Sequence, residues 1–243
     1  MKDTVFKVLT NRKIAYNTYE CVMQGDTSDI TRSGQFVNIK LDGFYLRRPI
    51  SVCDVSGDKL TIIYKAVGKG TEMMAEMTGG EELLTLTGLG NGYDTDKAGD
   101  NPLLIGGGAG VPPMYQLCKE LKEKGITSTV ILGFGSEREI FYKEEFEALG
   151  ATVLVTTVDG SFGIKGFVTD AMTALEYTHF FTCGPEPMLK AVYDKSVTDG
   201  QFSFEERMGC GFGACMGCTC KTKYGYKRIC RDGPVLFKEE IVW

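Results

Sequence analysis

Several features that would each have settled a function class are missing from this chain. No apolar run approaches the roughly 20 residues needed to cross a bilayer as a helix. The opening Met1–Lys13 also lacks the apolar stretch of a secretory signal, so a cytoplasmic protein without membrane contact is expected. Positive charge is not in excess, with 27 basic against 32 acidic side chains and a formal charge of -5. A nucleic-acid partner is therefore not expected, since binding one relies on clustered Lys and Arg displacing counterions. Histidine occurs once, as His179. That excludes His-rich zinc sites, and His179 lies on a strand-like run rather than beside a nucleophile, which reads as structural. Internal repeats and low-complexity segments are absent too. What remains, 243 residues of which 43% are apolar and 24% charged, is an ordinary globular composition.

Residues 1–97 alternate β-rich runs with Gly, Asp and Ser turns, at Val5–Leu9, Thr18–Gln24, Gln35–Leu41, Arg48–Val52, Lys59–Lys65 and Glu82–Thr87. Six short strands of this kind predict a small closed barrel, interrupted by one helix over Thr71–Met77. Turn formers and charges between Asn91 and Asp100 mark a boundary. Residues 98–204 then alternate strands with amphipathic helices, the pattern of a Rossmann-like parallel α/β domain. Strands are predicted at Leu103–Ile105, Thr127–Leu132, Thr152–Val158 and Phe180–Cys183, with helices at Pro113–Lys124, Glu139–Leu149, Phe167–Leu175 and Pro187–Val197. The last stretch, 205–243, is rich in Gly and Cys and too short for a core of its own.

Five of the nine cysteines fall in that stretch. Cys210-x4-Cys215-x2-Cys218 followed by Cys230 has the spacing of plant-type [2Fe–2S] ligands, and the intervening glycines let backbone N–H groups turn toward sulfur. Cys220, two residues after Cys218, reads as a non-ligand. A disulfide framework suits a secreted mini-protein with an even cysteine count, which this is not. Structural zinc is the stronger rival, although zinc sites usually pair two C-x2-C knuckles and only Cys215/Cys218 form one. Cys21, Cys53, Cys118 and Cys183 read as small buried apolar residues.

Two loops have the chemistry of nucleotide binding. Gly106, Gly107, Gly108 and Gly110 follow a strand and open a helix, where N–H groups receive a pyrophosphate; Pro113 stands where the usual fingerprint has its third glycine, and a plain tight turn is the alternative. Cys183-Gly184-Pro185 ends a second strand on the same sheet edge. In the barrel, Arg47, Arg48 and Ser51 put two guanidinium groups and a hydroxyl on an apolar strand, suited to a diphosphate or to a solvated basic patch. Gly68-Lys69-Gly70-Thr71 opens a helix and is another phosphate seat. Gly133–Arg138, after the second α/β strand, offers both an acid for a ribose hydroxyl and an arginine for a 2′-phosphate, leaving NAD and NADP open.

Over nearly its whole length the chain resembles the ferredoxin–NADP reductase superfamily, and within it the electron-transfer subunits of class 1B dihydroorotate dehydrogenases. Arg48-Pro49-Ile50-Ser51 matches the family's FAD motif, and Ile63-Tyr64-Lys65 and Gly70-Thr71 match its next two FAD-contacting segments. The resemblance implies that Arg48 meets the FAD diphosphate, that Ser51 sits near flavin N5, and that Gly106–Gly110 and Cys183-Gly184-Pro185 take NAD. The run Glu206–Cys218 separates these subunits from ordinary flavin reductases, and implies a [2Fe–2S] cluster on Cys210, Cys215, Cys218 and Cys230. It further implies a heterotetramer with an FMN-bearing dihydroorotate dehydrogenase catalytic subunit, passing electrons through the cluster and FAD to NAD+ in pyrimidine synthesis. The alternatives are the small subunit of an NAD(P)H:ferredoxin or sulfur oxidoreductase, and a nonenzymatic zinc- and nucleotide-binding module.

Overall fold

A computed structural model describes residues 1–243. Strands β1 (Lys2–Ala15), β2 (Thr18–Gln24), β3 (Phe36–Ile39), β4 (Arg48–Ser56), β5 (Lys59–Lys65) and β6 (Glu82–Leu89) close into an antiparallel barrel of order β1-β2-β5-β4-β3-β6. Side chains alternate across the wall as period-2 geometry requires. In β1, Thr4, Phe6 and Val8 point inward while Val5 and Lys7 face out. Helix α1 (Lys69–Ala75) begins two residues before the predicted Thr71, which brings Gly70 and Thr71 into its first turn.

The second half is a seven-stranded sheet of order β10-β9-β8-β7-β11-β12-β15. Its members are β7 (Pro102–Gly107), β8 (Thr129–Phe134), β9 (Thr152–Thr157), β10 (Ile164–Lys165), β11 (His179–Cys183), β12 (Gly200–Ser203) and β15 (Val235–Phe237), all parallel except β15. Between β12 and β15 the chain forms a separate hairpin, β13 (Thr219–Thr222) and β14 (Gly225–Arg228). The helices are α2 (Val111–Glu123), α3 (Lys143–Ala148), α4 (Val168–Met172) and α5 (Glu186–Lys195). Helix α2 begins two residues before the expected Pro113, so that Pro112 joins Pro113 inside its first turn, where a residue has no intrahelical N–H bond to lose. The helix predicted over Glu139–Leu149 shortens to α3 because Tyr142 adopts a left-handed backbone (φ 65) and sends its hydroxyl to Glu20 in the barrel, 2.8 Å away.

Five strands escaped the sequence pattern, the hairpin pair β13 and β14 and three members of the large sheet. β10 has two residues, β12 carries Gln201 and Ser203 among its buried positions, and β15 lies in the Cys-rich segment. That segment therefore returns a strand to the α/β sheet. Its Cys218, Ile229, Cys230 and Ile241 share one buried apolar cluster with Phe36 and Leu89 of the barrel and Leu103 and Phe202 of the sheet. Helix α2 fastens the two large units polar group to polar group: Lys119 to Asp54 at 2.6 Å, Glu120 to Ser33 at 2.8 Å, and Gln116 to the Val55 N–H at 3.0 Å.

Candidate functional site

The strand order reverses between β7 and β11, with β8 and β9 running one way and β12 the other. Open α/β sheets bind ligands at such a switch point, outside the carboxyl ends of the strands. Both nucleotide loops arrive there. A Cβ on Gly110 would collide with the Cys183 carbonyl, so the loop after β7 and the loop after β11 close on one another only because Gly110 lacks a side chain. A cavity of about 490 Å³ opens over them. Gly107, Gly108 and Pro185 line it, as do Gly133 of the Gly133–Arg138 segment and Met188 just after the second loop, together with residues that no motif singled out: Glu139, Thr156, Val158 and Phe167. Gly106 and Cys183 are buried beneath, while Gly184 lines a neighbouring cavity. The carboxyl-edge rule applied to β8 and β9 as well as to β7 and β11 would have found the rest.

A second cavity, of about 270 Å³, lies between the barrel wall and that sheet edge. Pro49, Ile50, Ser51, Ile63, Tyr64, Lys65 and Thr71 line its barrel side, and Ala109 with Ser203–Glu206, Met208 and Pro234 its other side. Lys65 lines both cavities and pairs with Glu139 at 3.1 Å. Arg48 stands beside the second cavity with its guanidinium 4.7 Å from the centre of the Phe44 ring and donating to the Leu46 carbonyl. A Cβ on Gly70 would lie 2.5 Å from Arg48 Nε, so the guanidinium occupies a notch that glycine leaves over the first turn of α1. Arg47 is not its companion: it turns to the opposite face and pairs with Asp3 at 2.8 Å. Sequence reasoning also missed Glu205, an exposed residue that lines this cavity and the neighbouring one, where partial desolvation raises its pKa.

The cysteine loop is built on backbone donors. Ala214 and Cys215 N–H groups donate to Cys210 Sγ at 3.2 and 3.4 Å, Gly217 N–H to Cys215 Sγ at 3.4 Å, and Cys230 N–H to Cys218 Sγ at 3.4 Å. Burial works against ionising Cys210, but the N–H groups of Cys215, Phe212 and Ala214 outweigh it and bring the thiol down to about 6. Burial and the adjacent Cys218 push Cys230 up to about 12. Backbone N–H bonds to sulfur thus tie Cys215 to Cys210 and Cys230 to Cys218, which sorts the four cysteines into two pairs. No three His, Cys, Asp or Glu side chains are arranged around one metal ion. Two pairs suit a two-iron cluster, each iron taking two thiolates, better than a single tetrahedral zinc. Cys220 lines a third cavity, beside Lys221 and Trp243. Cys21, Cys53, Cys118 and Cys183 are buried, and His179 is buried against Gln201.

A barrel joined to a parallel α/β unit, with one cavity between them and another across the strand-order reversal, is the fold of the ferredoxin–NADP reductase type. A solved ferredoxin NADP+ reductase from Neisseria gonorrhoeae has this fold, with a TM-score of 0.68 at 18% identity over 80% of this chain and 90% of that one. The family model described as "Oxidoreductase NAD-binding domain" matches residues 104–194, and that described as "Iron-sulfur cluster binding domain of dihydroorotate dehydrogenase B" matches residues 205–242. The "Dihydroorotate dehydrogenase B (NAD(+)), electron transfer subunit" of Bacillus pumilus (strain SAFR-032) is 44% identical over 99% of this chain and 98% of its own length. The protein of the same name from Fusobacterium nucleatum is 44% identical over 99% of each. A solved structure of an NADH-dependent reduced ferredoxin-NADP oxidoreductase, described for flavin-based electron bifurcation, aligns with a TM-score of 0.88 at 30% identity, over 98% of this chain and 90% of that one.

The chain belongs to the family of electron transfer subunits of NAD(+)-dependent dihydroorotate dehydrogenase B. It is an oxidoreductase subunit whose cofactors are FAD, a [2Fe–2S] cluster and NAD. The zinc-bearing, nonenzymatic alternative falls with that result.

Proposed function

We propose that this subunit receives electrons from an FMN-bearing dihydroorotate dehydrogenase subunit at its cluster and delivers them as hydride to NAD+, supporting pyrimidine synthesis in a cytoplasmic heterotetramer. One observation carries the reading: the barrel-side cavity borders the switch-point cavity through Lys65 and the cysteine segment through Met208, two residues before Cys210. When bound, FAD exchanges electrons singly with an iron–sulfur centre and in pairs with a nicotinamide. This chain's work is to hold the three in order and keep water out.

In this reading Arg48 and the first turn of α1, with Gly70 and Thr71, hold the FAD diphosphate. Pro49, Ile50, Ile63 and Tyr64 enclose the ring system, and Ser51 presents its hydroxyl at the reacting edge. Gly106, Gly107, Gly108 and Gly110 give the pyrophosphate of NAD close access to the backbone, with Cys183, Gly184 and Pro185 facing them across the switch point. Cys210, Cys215, Cys218 and Cys230 hold the cluster. NAD is favoured over NADP by where the charges lie. Arg138, the arginine that would meet a 2′-phosphate, is committed to the face of Tyr16, 4.0 Å from the ring centre.

Untagged purification followed by a coupled assay tests the proposal. The isolated chain should oxidise NADH with a dye acceptor and be inert toward dihydroorotate. Its co-purifying partner should confer dihydroorotate-dependent NAD+ reduction. Oxidation of dihydroorotate by the isolated chain, or a coupled reaction indifferent to cluster loss, overturns the order of the relay. Ser51→Ala should retain FAD while slowing flavin reduction by NADH, and an unchanged rate removes Ser51 from the reacting edge.

A further inference from the structure

Between the flavin cavity and the cysteine loop stands one polar side chain that no motif marked. Asn38 lies in β3, two residues from Phe36 and so on the same face of the strand. Phe36 lines the barrel-side cavity and shares a buried apolar cluster with Cys218 and Cys230. Asn38 is 1% exposed, and its Nδ2 donates to the Cys210 carbonyl at 3.4 Å. The next residue of the loop, Gly211, has φ +78, and a Cβ there would run into the same amide. The Asn38 Oδ1 has no donor at all. An unpaired buried acceptor costs stability, so a leucine of similar volume would serve the barrel better by itself. The donor directed at Cys210 explains why an amide is there.

Resting on the relay reading above, we infer that Asn38 is a positioning residue that fixes the Cys210 side of the cluster loop against the strand forming the flavin cavity, and so sets the electronic coupling between the two centres. The link is short in bonds: from the Asn38 side chain across one hydrogen bond to the Cys210 carbonyl, then through Cα and Cβ to a ligating sulfur. Phe36 runs beside it as a packed apolar contact. Removing the hydrogen bond frees the Cys210 peptide to tilt, which alters the N–H bonds received by Cys210 Sγ, and such bonds tune iron–sulfur centres.

Asn38→Leu in the complex with its catalytic partner tests this. Iron, sulfide and FAD contents should match the unaltered protein. The EPR spectrum of the dithionite-reduced cluster should change its g-values, and stopped-flow reduction of the cluster by NADH should slow at least tenfold, while flavin reduction by NADH does not. A merely structural asparagine would move none of these with cofactors at full occupancy. Unchanged g-values together with an unchanged rate overturn the inference. Loss of iron and sulfide with FAD retained overturns it also, because the contact would then be building the cluster site and not coupling it. If Asn38→Leu does not fold, Asn38→Ala removes the same donor with less bulk. Failure of NADH to reduce the cluster in the unaltered protein would instead overturn the relay itself.

Discussion

The barrel with its α/β partner and the cysteine segment solve the same problem, holding a redox group, by opposite means. In the body both cavities open where strands end, and their walls are built from helices and strands, which over the chain hold 86 of its 134 backbone hydrogen bonds. Residues 209–218 belong to no helix or strand. Their shape depends on N–H groups aimed at sulfur and on a few outside supports, among them the Arg228 guanidinium donating to the Gly213 carbonyl at 2.9 Å and Asn38 beneath Cys210. A preformed cleft keeps its shape when empty. A loop organised around thiolates draws its order from the metal, so there the free energy of binding is also that of folding.

The largest effect should come from attacking that difference directly. Single Cys→Ser changes at 210, 215, 218 or 230 should reduce bound iron and sulfide to near zero and abolish the coupled reaction, yet leave FAD content and the thermal transition of the body almost unchanged. Cys220→Ser should keep the cluster, since Cys220 faces the third cavity. Iron and sulfide assays decide this, and a full cluster in Cys215→Ser would falsify the ligand set. Hydrogen exchange sharpens the comparison: protection should be lost over residues 209–231 in these variants and nowhere else.

Next in size is Arg48→Ala, on the body side. Each charge-assisted hydrogen bond to a phosphate contributes about 1.5–3 kcal/mol, so losing one should weaken FAD binding about 10- to 150-fold. Gel filtration at limiting flavin reads it out, and undiminished FAD returns Arg48 to an ordinary surface charge. Gly110→Ala should follow it and be selective for the nucleotide. Its Cβ would run into the Cys183 carbonyl oxygen, a backbone atom that must move, so the cost sits at the upper end of the overpacking range, about 3 kcal/mol. A Tm lower by about 10 °C and weakened NADH binding should accompany unaltered FAD and iron contents. Equal loss of all three cofactors would mean that the two regions are not independent.

How much of this was legible beforehand follows the same division. The four cysteines proposed as ligands stand out by spacing because a metal dictates which sulfurs must meet, whatever the rest of the chain does. Arg48, Ser51 and the glycine loops stand out because phosphate and flavin chemistry restricts residue type, and the fold brings Ser51 to one cavity and Gly107, Gly108 and Pro185 to the other. Phe36, Asn38, Glu205, Thr156 and Phe167 could not. Each is an ordinary residue on a strand or loop and acquires its place only when the barrel closes or the sheet order reverses. β12 was hidden for a related reason: Gln201 and Ser203 are polar yet buried, the Gln201 amide being satisfied by Asp94 far away in sequence, which erases the apolar signal of a core strand. Arg47 and Arg48, adjacent in sequence, part where the loop meets the strand: Arg47 stays outside β4 and pairs with Asp3, while Arg48 opens the strand.

Gln201 also sets the smallest expected effect, one that confines a pH response to the body. Its Oε1 accepts the Asp94 N–H at 2.8 Å and its Nε2 donates to the Asp94 carbonyl at 2.9 Å, which fixes the amide's orientation. The same Nε2 lies 3.1 Å from His179 Nε2, so that ring nitrogen must be the acceptor and the imidazole neutral. Burial lowers the pKa of His179 below its usual 6.5, against the opposing pull of Asp199 and Asp94, with Lys97 adding to the lowering. The unfolded chain therefore takes up the proton first as the pH falls. The stabilisation from the neutral ring is fully present above pH 6.5 and is lost as the pH drops through the folded-state value. Thermal melts between pH 7.5 and 5 should show Tm falling by a few degrees more in the parent protein than in His179→Gln, whose amide cannot titrate. The absorbance of the bound cluster should stay constant over the same interval, because the imidazole lies on the far side of the sheet's core from the cysteine loop's thiolates. Equal slopes in the two proteins would remove His179 as the source of the response.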